Sequence, residues 1–334
     1  IGEKELIRRI AEYMPTNQAS DDCALIKTER EDLLINTDLM VENTHFNNKL
    51  ISPKDIGEKE LIRRVAEYMP PNQTSDDCAY VNTNKKDLLI NTDLMVENTH
   101  FNQEIISPRD IGWKAVASNY SDLISSGCIE FIGINIGLVL PTNTEWEWVQ
   151  ELYEGFSEAL NQFGGSILGG DCSRGENKMI SINAIGLQSK LKLRRNACKP
   201  GEVLVTTGMH GLSKLGLLIK SNKISEEDLN LDEKLINQSI KAFCRPTPKN
   251  YILKTMLSSS ELFINKEIGC TDSSDGFYQA ILDLSQESKC KAVIDYDKIP
   301  KNYDWPNGNM WDQFYFFGGE DYELLISLPD DLAN

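Results

Sequence analysis

Apolar residues fall at helical spacing in the stretch GEKELIRRVAEYMPP, where Leu61, Ile62, Val65, Ala66 and Met69 share one face and Pro70 with Pro71 ends the run. The pattern predicts an amphipathic helix. Leu88, Leu89 and Ile90 then predict a short buried strand, with Asn91, Thr92 and Asp93 at its end, where polar side chains can face a site. Ser107 as N-cap, Pro108 at the first helical position and Gly127 as the stop predict a helix from Pro108 to about Ser126. Ile132, Ile134, Ile136, Leu138 and Leu140 alternate with other residues, the period of a strand that ends at Pro141. Thr144 followed by Glu147 has the spacing of a capping box and opens a helix that runs to Gly164 and Gly165. SILGGDCSR suggests a strand and a turn, and MISINAIGLQ and EVLVTTG suggest further strands. Beyond RRNACKPGE the pattern is helix-rich to about Ser260, then strand, helix and strand through Leu328. Strand signals between Phe131 and Gly208 are too dense for simple strand-helix alternation. The expected class is α+β, with mixed or antiparallel sheets in two domains meeting near Arg195.

The pattern also repeats itself. Shifting the chain by 55 positions sets Ile1 to Asp55 against Ile56 to Asp110; 13 of these 55 pairs differ and the other 42 are identical. No third copy follows, so a solenoid or propeller, which needs at least about three stacked units, is excluded. A partial tandem duplication accounts for two copies. The alternative is that the first copy supplies a strand layer that a partner subunit would otherwise donate.

At 334 residues, 40% apolar and 25% charged, the chain can bury one or two sizeable cores. The longest apolar run, Phe131 to Leu140, is about half of what a membrane helix requires and contains Asn135. Neither a membrane span nor a signal peptide is recognisable, and a cytoplasmic location is expected. The eight cysteines never form Cys-x-x-Cys, which argues against a zinc knuckle or a disulfide framework. A net charge of -17 argues against nucleic acid as the main partner, because phosphate binding wants a basic face.

The acidity is gathered into short motifs: Asp76 with Asp77, Asp93, Asp122, Asp171 in GGD, and Asp272 with Asp275 in DSSDG, each expected at a strand end, turn or helix boundary. One aspartate in a turn usually serves the turn itself. Five clusters beside small residues point instead to hard divalent cations, which take oxygen ligands from carboxylates, water and substrate phosphates. Aspartates converging on one pocket would otherwise repel one another. No G-x-x-x-x-G-K-[ST] and no G-x-G-x-x-G after a strand occurs, so neither a P-loop nor a Rossmann site is supported. His100 lies close to the acidic turn and is a candidate contact, whereas His210 is read as structural.

SDDCA, NTDLMVENTHF, GWKAVASNYSDLISSG, GGD followed by SRG, RRNACKPGE, DSSDG and GGEDYELL occur in one order. Together they resemble the thiamine-monophosphate kinase family, from about Ile56 onward. Its relatives, aminoimidazole ribonucleotide synthetase, selenophosphate synthetase and a hydrogenase maturation enzyme, share the fold and the ATP chemistry. With residues 1–55 set apart by the repeat as an extra copy, the resemblance implies an N-terminal domain over 56–194 that pairs across a homodimer to form a β-barrel, and a C-terminal α+β domain over 195–334. It implies transfer of the γ-phosphoryl group of ATP to thiamine monophosphate, with magnesium and without a catalytic base. An impaired nucleotide-binding homologue, or an enzyme of the same superfamily acting on another acceptor, are the alternatives.

Carried over position by position, the family's magnesium ligands fall on Asp77, Asn91, Thr92, Asp93, Asp122, Asp171, Asp272 and Asp275. Nucleotide contacts fall on Tyr153, Gly170, Asp171, Arg195 and Ser274, and thiamine monophosphate contacts on His100 and Glu320. Where the family has Gly-Asp-Asp and Ser-Thr-Asp, this chain has Ser75-Asp76-Asp77 and Asn91-Thr92-Asp93. Asn91 keeps an oxygen ligand. The family continues past GGEDYELL through a stretch with an aromatic contact for the thiamine ring, so the C-terminal domain is expected to be incomplete at Asn334. The second copy runs directly into the helix bearing Asp122, which assigns the working site to that copy. The first, with Asp22, Asp38 and His45, is expected to be loosely attached or to compete for the same place in the sheet.

Overall fold

The computed structural model describes residues 9, 11–13, 24–26, 33–35, 78–82, 87–224, 231–258, 263, 267–301 and 305–333. The helix expected at Leu61 to Met69, Asp77, and the first copy's Asp22, Asp38 and His45 lie outside them.

Each copy of the repeat forms the same hairpin. In the first, β1 (Ala24–Ile26) and β2 (Leu33–Ile35) pair antiparallel with Ala24 opposite Ile35; in the second, β3 (Ala79–Asn82) and β4 (Asp87–Val96) pair with Ala79 opposite Ile90. The register is identical after the shift of 55, as near-identical sequence requires. Among the described residues, only the second hairpin joins the main sheet. That five-stranded sheet has the order β3-β4-β7-β5-β6 and includes β5 (Cys128–Leu140), β6 (Ser166–Arg174) and β7 (Met179–Gln188). The first hairpin is a separate two-stranded sheet, with β1 approaching β6.

One face of the five-stranded sheet carries Leu89 and Met95 from β4, Ile134, Ile136 and Leu138 from β5, and Ile180 and Ile182 from β7, all buried. On it lies α1 (Pro108–Ser125), capped by Ser107, whose hydroxyl accepts from the Asp110 amide. Helix α2 (Trp146–Phe163) packs against α1 at very short range: a Cβ on Gly155 would stand 1.9 Å from the Arg109 carbonyl oxygen, and one on Gly112 2.2 Å from that of Leu152. Only glycine allows such an approach. The capping box expected at Thr144 does not form. Glu145 occupies the cap without a side-chain hydrogen bond, and the buried Thr144 hydroxyl has no partner.

The second half builds a four-stranded sheet of order β8-β10-β11-β9, from β8 (Lys192–Arg194), β9 (Val203–Thr206), β10 (Glu267–Asp272) and β11 (Leu324–Leu328). The change of sheet thus falls between Gln188 and Lys192, just ahead of Arg195. Around it lie α3 (Leu212–Lys220), α4 (Glu233–Cys244), α5 (Tyr251–Ser258), α6 (Phe277–Glu287), α7 (Asn309–Phe317) and α8 (Asp330–Ala333). The architecture is α+β with mixed sheets, as expected. Among the described residues no helix is long and apolar enough to cross a membrane, and no disulfide joins the cysteines.

One hydrophobic core runs through both halves, from Leu89, Ile134 and Leu152 to Phe243, Ile268 and Ile326. Helix α1 is its centre. It buries residues all around its circumference, including the polar Lys114, Asn119, Ser121 and Ser125. Buried polar groups need partners. Those partners define the candidate site.

Candidate active site

Where α1 passes between β4 of one sheet and β10 of the other, four acidic or amide positions meet. The Asn91 side-chain nitrogen donates to Asn119 Oδ1 at 3.1 Å and to Asp122 Oδ2 at 2.8 Å. That leaves Asn91 Oδ1 buried with no hydrogen bond. Asp93, two residues along β4 and therefore on the same face, lies beside Ser118 of α1, whose hydroxyl donates to the Ala115 carbonyl at 3.1 Å. From the other sheet, Asp272 is 3% exposed; it accepts from Ser121 Oγ at 2.6 Å and from Ser274 Oγ at 2.8 Å.

Charge is concentrated here. Burial raises the Asp93 carboxyl above its ordinary value and Asp272 adds repulsion, while the Ser118 hydrogen bond and His100 act in the opposite direction. The buried Tyr322 phenol is pushed well above its usual range, first by burial and then by Glu320, Asp93, Asp272 and Asp122 together. Tyr322 thus stands within electrostatic reach of all four acids. Among the described residues no three carboxylate, imidazole or thiolate groups are close enough to form a complete metal shell. The donor set nonetheless fits magnesium, which keeps several waters and binds through one or two carboxylates plus substrate phosphates. The partnerless Asn91 Oδ1 is an oxygen ligand of that kind, and a cation would relieve the repulsion between Asp93 and Asp272.

The expected site residues divide in two. Asn91, Asp93, Asp122 and Asp272 converge, with His100, Ser274, Asp275 and Glu320 at the margin. The Val96 amide donates to His100 Nδ1 at 3.0 Å, which leaves the proton of the exposed imidazole on Nε2. Ser274 is half-buried and Asp275 exposed, and the Ser274 carbonyl accepts from the Glu320 amide at 2.7 Å, joining DSSDG to GGEDYELL. Arg195 Nε donates to Thr271 Oγ1 at 3.0 Å, one residue before Asp272.

Thr92 and Asp171 do not join this group. Thr92 points to the other face of β4, where Asn183 donates to its hydroxyl at 2.8 Å. Asp171 pairs with Gly137, Gly137 with Ser181 and Ser181 with Leu94, so Asp171 shares the face of Leu94, opposite to Asp93. Gly170 beside it is exposed, and a Cβ there would stand 2.0 Å from the Ile136 carbonyl oxygen. Tyr153 lies in the core, 2% exposed, its ring against Phe156 and Tyr13.

Two expectations of local structure are corrected. Asn91, Thr92 and Asp93 are not at a strand end, because β4 continues to Val96 through nine consecutive pairings with β7. Asp171 likewise lies within β6, which runs unbroken to Arg174 instead of turning. Both segments carry polar residues in mid-strand because pairing with β7 and with β5 keeps the backbone extended whatever the side chains are.

Sequence reasoning passed over Lys114, Ser118, Asn119, Ser121 and Tyr322. The signal was present in GWKAVASNYSDL: polar residues recur on every side of a helix whose length and caps are otherwise ordinary. Such a helix has no solvent face to put them on.

His210 is structural. It is 1% exposed, its Nε2 lies 2.9 Å from Thr206 Oγ1, and its ring packs on Phe277 and Tyr315. Burial lowers its pKa to about 3. Between the ordinary value of about 6.5 and that folded value only the unfolded chain takes the proton, so the residue costs stability as pH falls. His210→Gln should remove this cost: its stability relative to the unmutated chain is expected to improve by roughly 1.4 kcal/mol per unit below pH 6.5, read from urea midpoints. A constant difference between pH 7 and 5 would contradict the assignment. A cavity of about 630 Å³ between β9 and α6 contains none of the acidic cluster.

Two mixed layers joined through one buried helix, with acids contributed from both, define a class. The family model for the AIR synthase related protein N-terminal domain matches residues 20–65 and 75–188, entering both copies of the repeat. A thiamine-monophosphate kinase of Prochlorococcus marinus is 44% identical over 279 residues, 84% of each chain. The solved structure described as AaThiL complexed with AMPPCP and TMP superposes with a TM-score of 0.74 at 27% identity, covering 86% of this chain and 90% of that one. Thiamine monophosphate kinase from Aquifex aeolicus superposes with a TM-score of 0.68 at 26% identity, covering 84% and 90%. The chain therefore belongs to the thiamine-monophosphate kinase family, within the AIR synthase-like superfamily.

Proposed function

We propose that this chain transfers the γ-phosphoryl group of ATP directly to the phosphate of thiamine monophosphate, giving ADP and thiamine diphosphate. The observation that carries the reading is the meeting of Asn91, Asp93, Asp122 and Asp272 around α1, with the partnerless Asn91 oxygen among them. Kinship with thiamine-monophosphate kinases supplies the acceptor.

Both reactants are polyanions, so the barrier falls mainly through positioning and charge neutralisation. Magnesium, when bound, would supply that neutralisation. Asn91, Asp93, Asp122 and Asp272 would hold it, with Asp77 and Asp275 as further ligands. Ser274 and Arg195, at the C-terminal end of β10, suit the nucleotide. His100 keeps a proton on Nε2 and can donate it as a hydrogen bond to the acceptor phosphate. No side chain need act as base, because the acceptor phosphate is already anionic at neutral pH.

Thr92, Gly170 and Asp171 belong, in this proposal, to the second face of the sheet, and Tyr153 to the wall behind it. That face exposes Thr92 and Leu94 and buries Asn135, whose side-chain oxygen and nitrogen both lack partners. These features support a homodimer in which that face meets another copy and completes the nucleotide site. The second hairpin's membership of the main sheet supports placing the working site in residues 56–194, with the C-terminal domain starting at 195.

Product analysis tests the acceptor. Given ATP, magnesium and a mixture of thiamine monophosphate with other small monophosphates, only thiamine diphosphate should appear. Phosphorylation of another acceptor in preference would assign the chain to a different reaction of the superfamily.

A further inference from the structure

Lys114 is the most deeply buried cation of α1. It is 2% exposed, and its Nζ lies 2.7 Å from Glu320 Oε2 and 4.3 Å above the Phe243 ring. A buried ammonium costs several kcal/mol unless paired, so a chain keeps one where the charge is used. Packing alone would be served by methionine or leucine.

Its position indicates the use. Lys114, Ser118 and Asp122 follow one another at intervals of four, on one face of α1. Asp122 accepts from Asn91 and Ser118 lies beside Asp93, so the third member of the row, two turns or roughly 12 Å from Asp122, marks the other end of the same site. There Glu320 sits with φ of 67°, a left-handed conformation unfavourable for glutamate, fixed by the hydrogen bond its amide donates to the Ser274 carbonyl. The strained backbone and Lys114 together set where the carboxylate points. Oε2 is taken by the ammonium, and the side chain as a whole stays 37% exposed.

We propose that Lys114 is a positioning residue for the acceptor substrate: it locks the Glu320 carboxylate in the one orientation that receives the cationic heteroaromatic end of thiamine monophosphate. The proposal rests on Glu320 contacting that substrate. Lys114 touches neither substrate nor metal and acts through Glu320 alone.

The test is steady-state kinetics and thiamine monophosphate titration on the full chain, for K114M, E320Q and the double variant, with thermal midpoints alongside. Methionine keeps the stem that packs on Phe243, and the double variant removes both charges, so at least one of the two folds if the site does. K114M is expected to raise KM and Kd for thiamine monophosphate about tenfold, with kcat and KM for ATP within about twofold. The double variant should be no worse than E320Q alone, because neither partner acts without the other. Equal losses for both substrates in K114M, or single effects that multiply in the double variant, would overturn the positioning role. If E320Q leaves thiamine monophosphate binding unchanged, Glu320 is not a substrate contact, and that result overturns the underlying assignment instead.

Discussion

Asp93→Asn is expected to lower kcat by about a thousandfold while Asp38→Asn leaves it within about twofold. The two residues are the same position in the two copies, so chemistry at the residue level cannot distinguish them. Placement does. Asp93 faces α1, lies beside Ser118 and shares its field with Asp272; β4, which carries it, is the strand joined to β7. Asp38 lies outside the described residues; among those residues, β2 of its copy pairs with β1 alone. Removing one fixed charge from a preorganised polar site costs roughly 10² to 10³ in rate, and a residue that also holds metal adds to that. Urea unfolding separates this loss from misfolding: with Asp93 half-buried near another acid, the neutral asparagine should be as stable as the parent or more so. A large loss from Asp38→Asn would mean that the first copy works in the site.

Asp272→Ala is the second large effect. This carboxylate joins the two sheets, accepting from Ser121 of α1 and from both the amide and hydroxyl of Ser274. Alanine leaves those donors buried without an acceptor, at a cost of about 1–3 kcal/mol in stability. Activity should fall about a hundredfold or more. Asp272→Asn, which keeps an acceptor oxygen for Ser121 or Ser274, should recover most of the stability but little of the rate. Parallel recovery of both would make Asp272 a purely structural joint.

Much of this was legible in the sequence. The α+β class followed from strand signals too dense for alternation, and α1 was bounded almost to the residue because Ser107, Pro108 and Gly127 are strong local signals. Of the acids that the sequence gathers into motifs, Asp93, Asp122 and Asp272 converge at α1, whereas Asp171 does not. What could not be read was which face each occupied. Thr92 and Asp93 are neighbours in sequence and lie on opposite sides of one strand, and Asp171 falls with Thr92 only because of the pairing order through β7 and β5. Strand order is a long-range property that no local motif encodes. Capping at α2 failed for a similar reason: the spacing of Thr144 and Glu147 fits a capping box, yet the backbone places Glu145 at the cap. Lys114 escaped because a lone lysine in a helix is normally solvent-facing, and only the packing of Phe243 and Glu320 around it reveals a buried ion pair.

The most direct measurement is mass-spectrometric quantification of products after mixing this chain with ATP, magnesium and thiamine monophosphate, with and without a chelator. Thiamine diphosphate and ADP appearing in equal amounts, and both ceasing when the chelator is present, is the predicted result. ADP without thiamine diphosphate, or no product from the unmutated chain, would contradict direct transfer between the two phosphates.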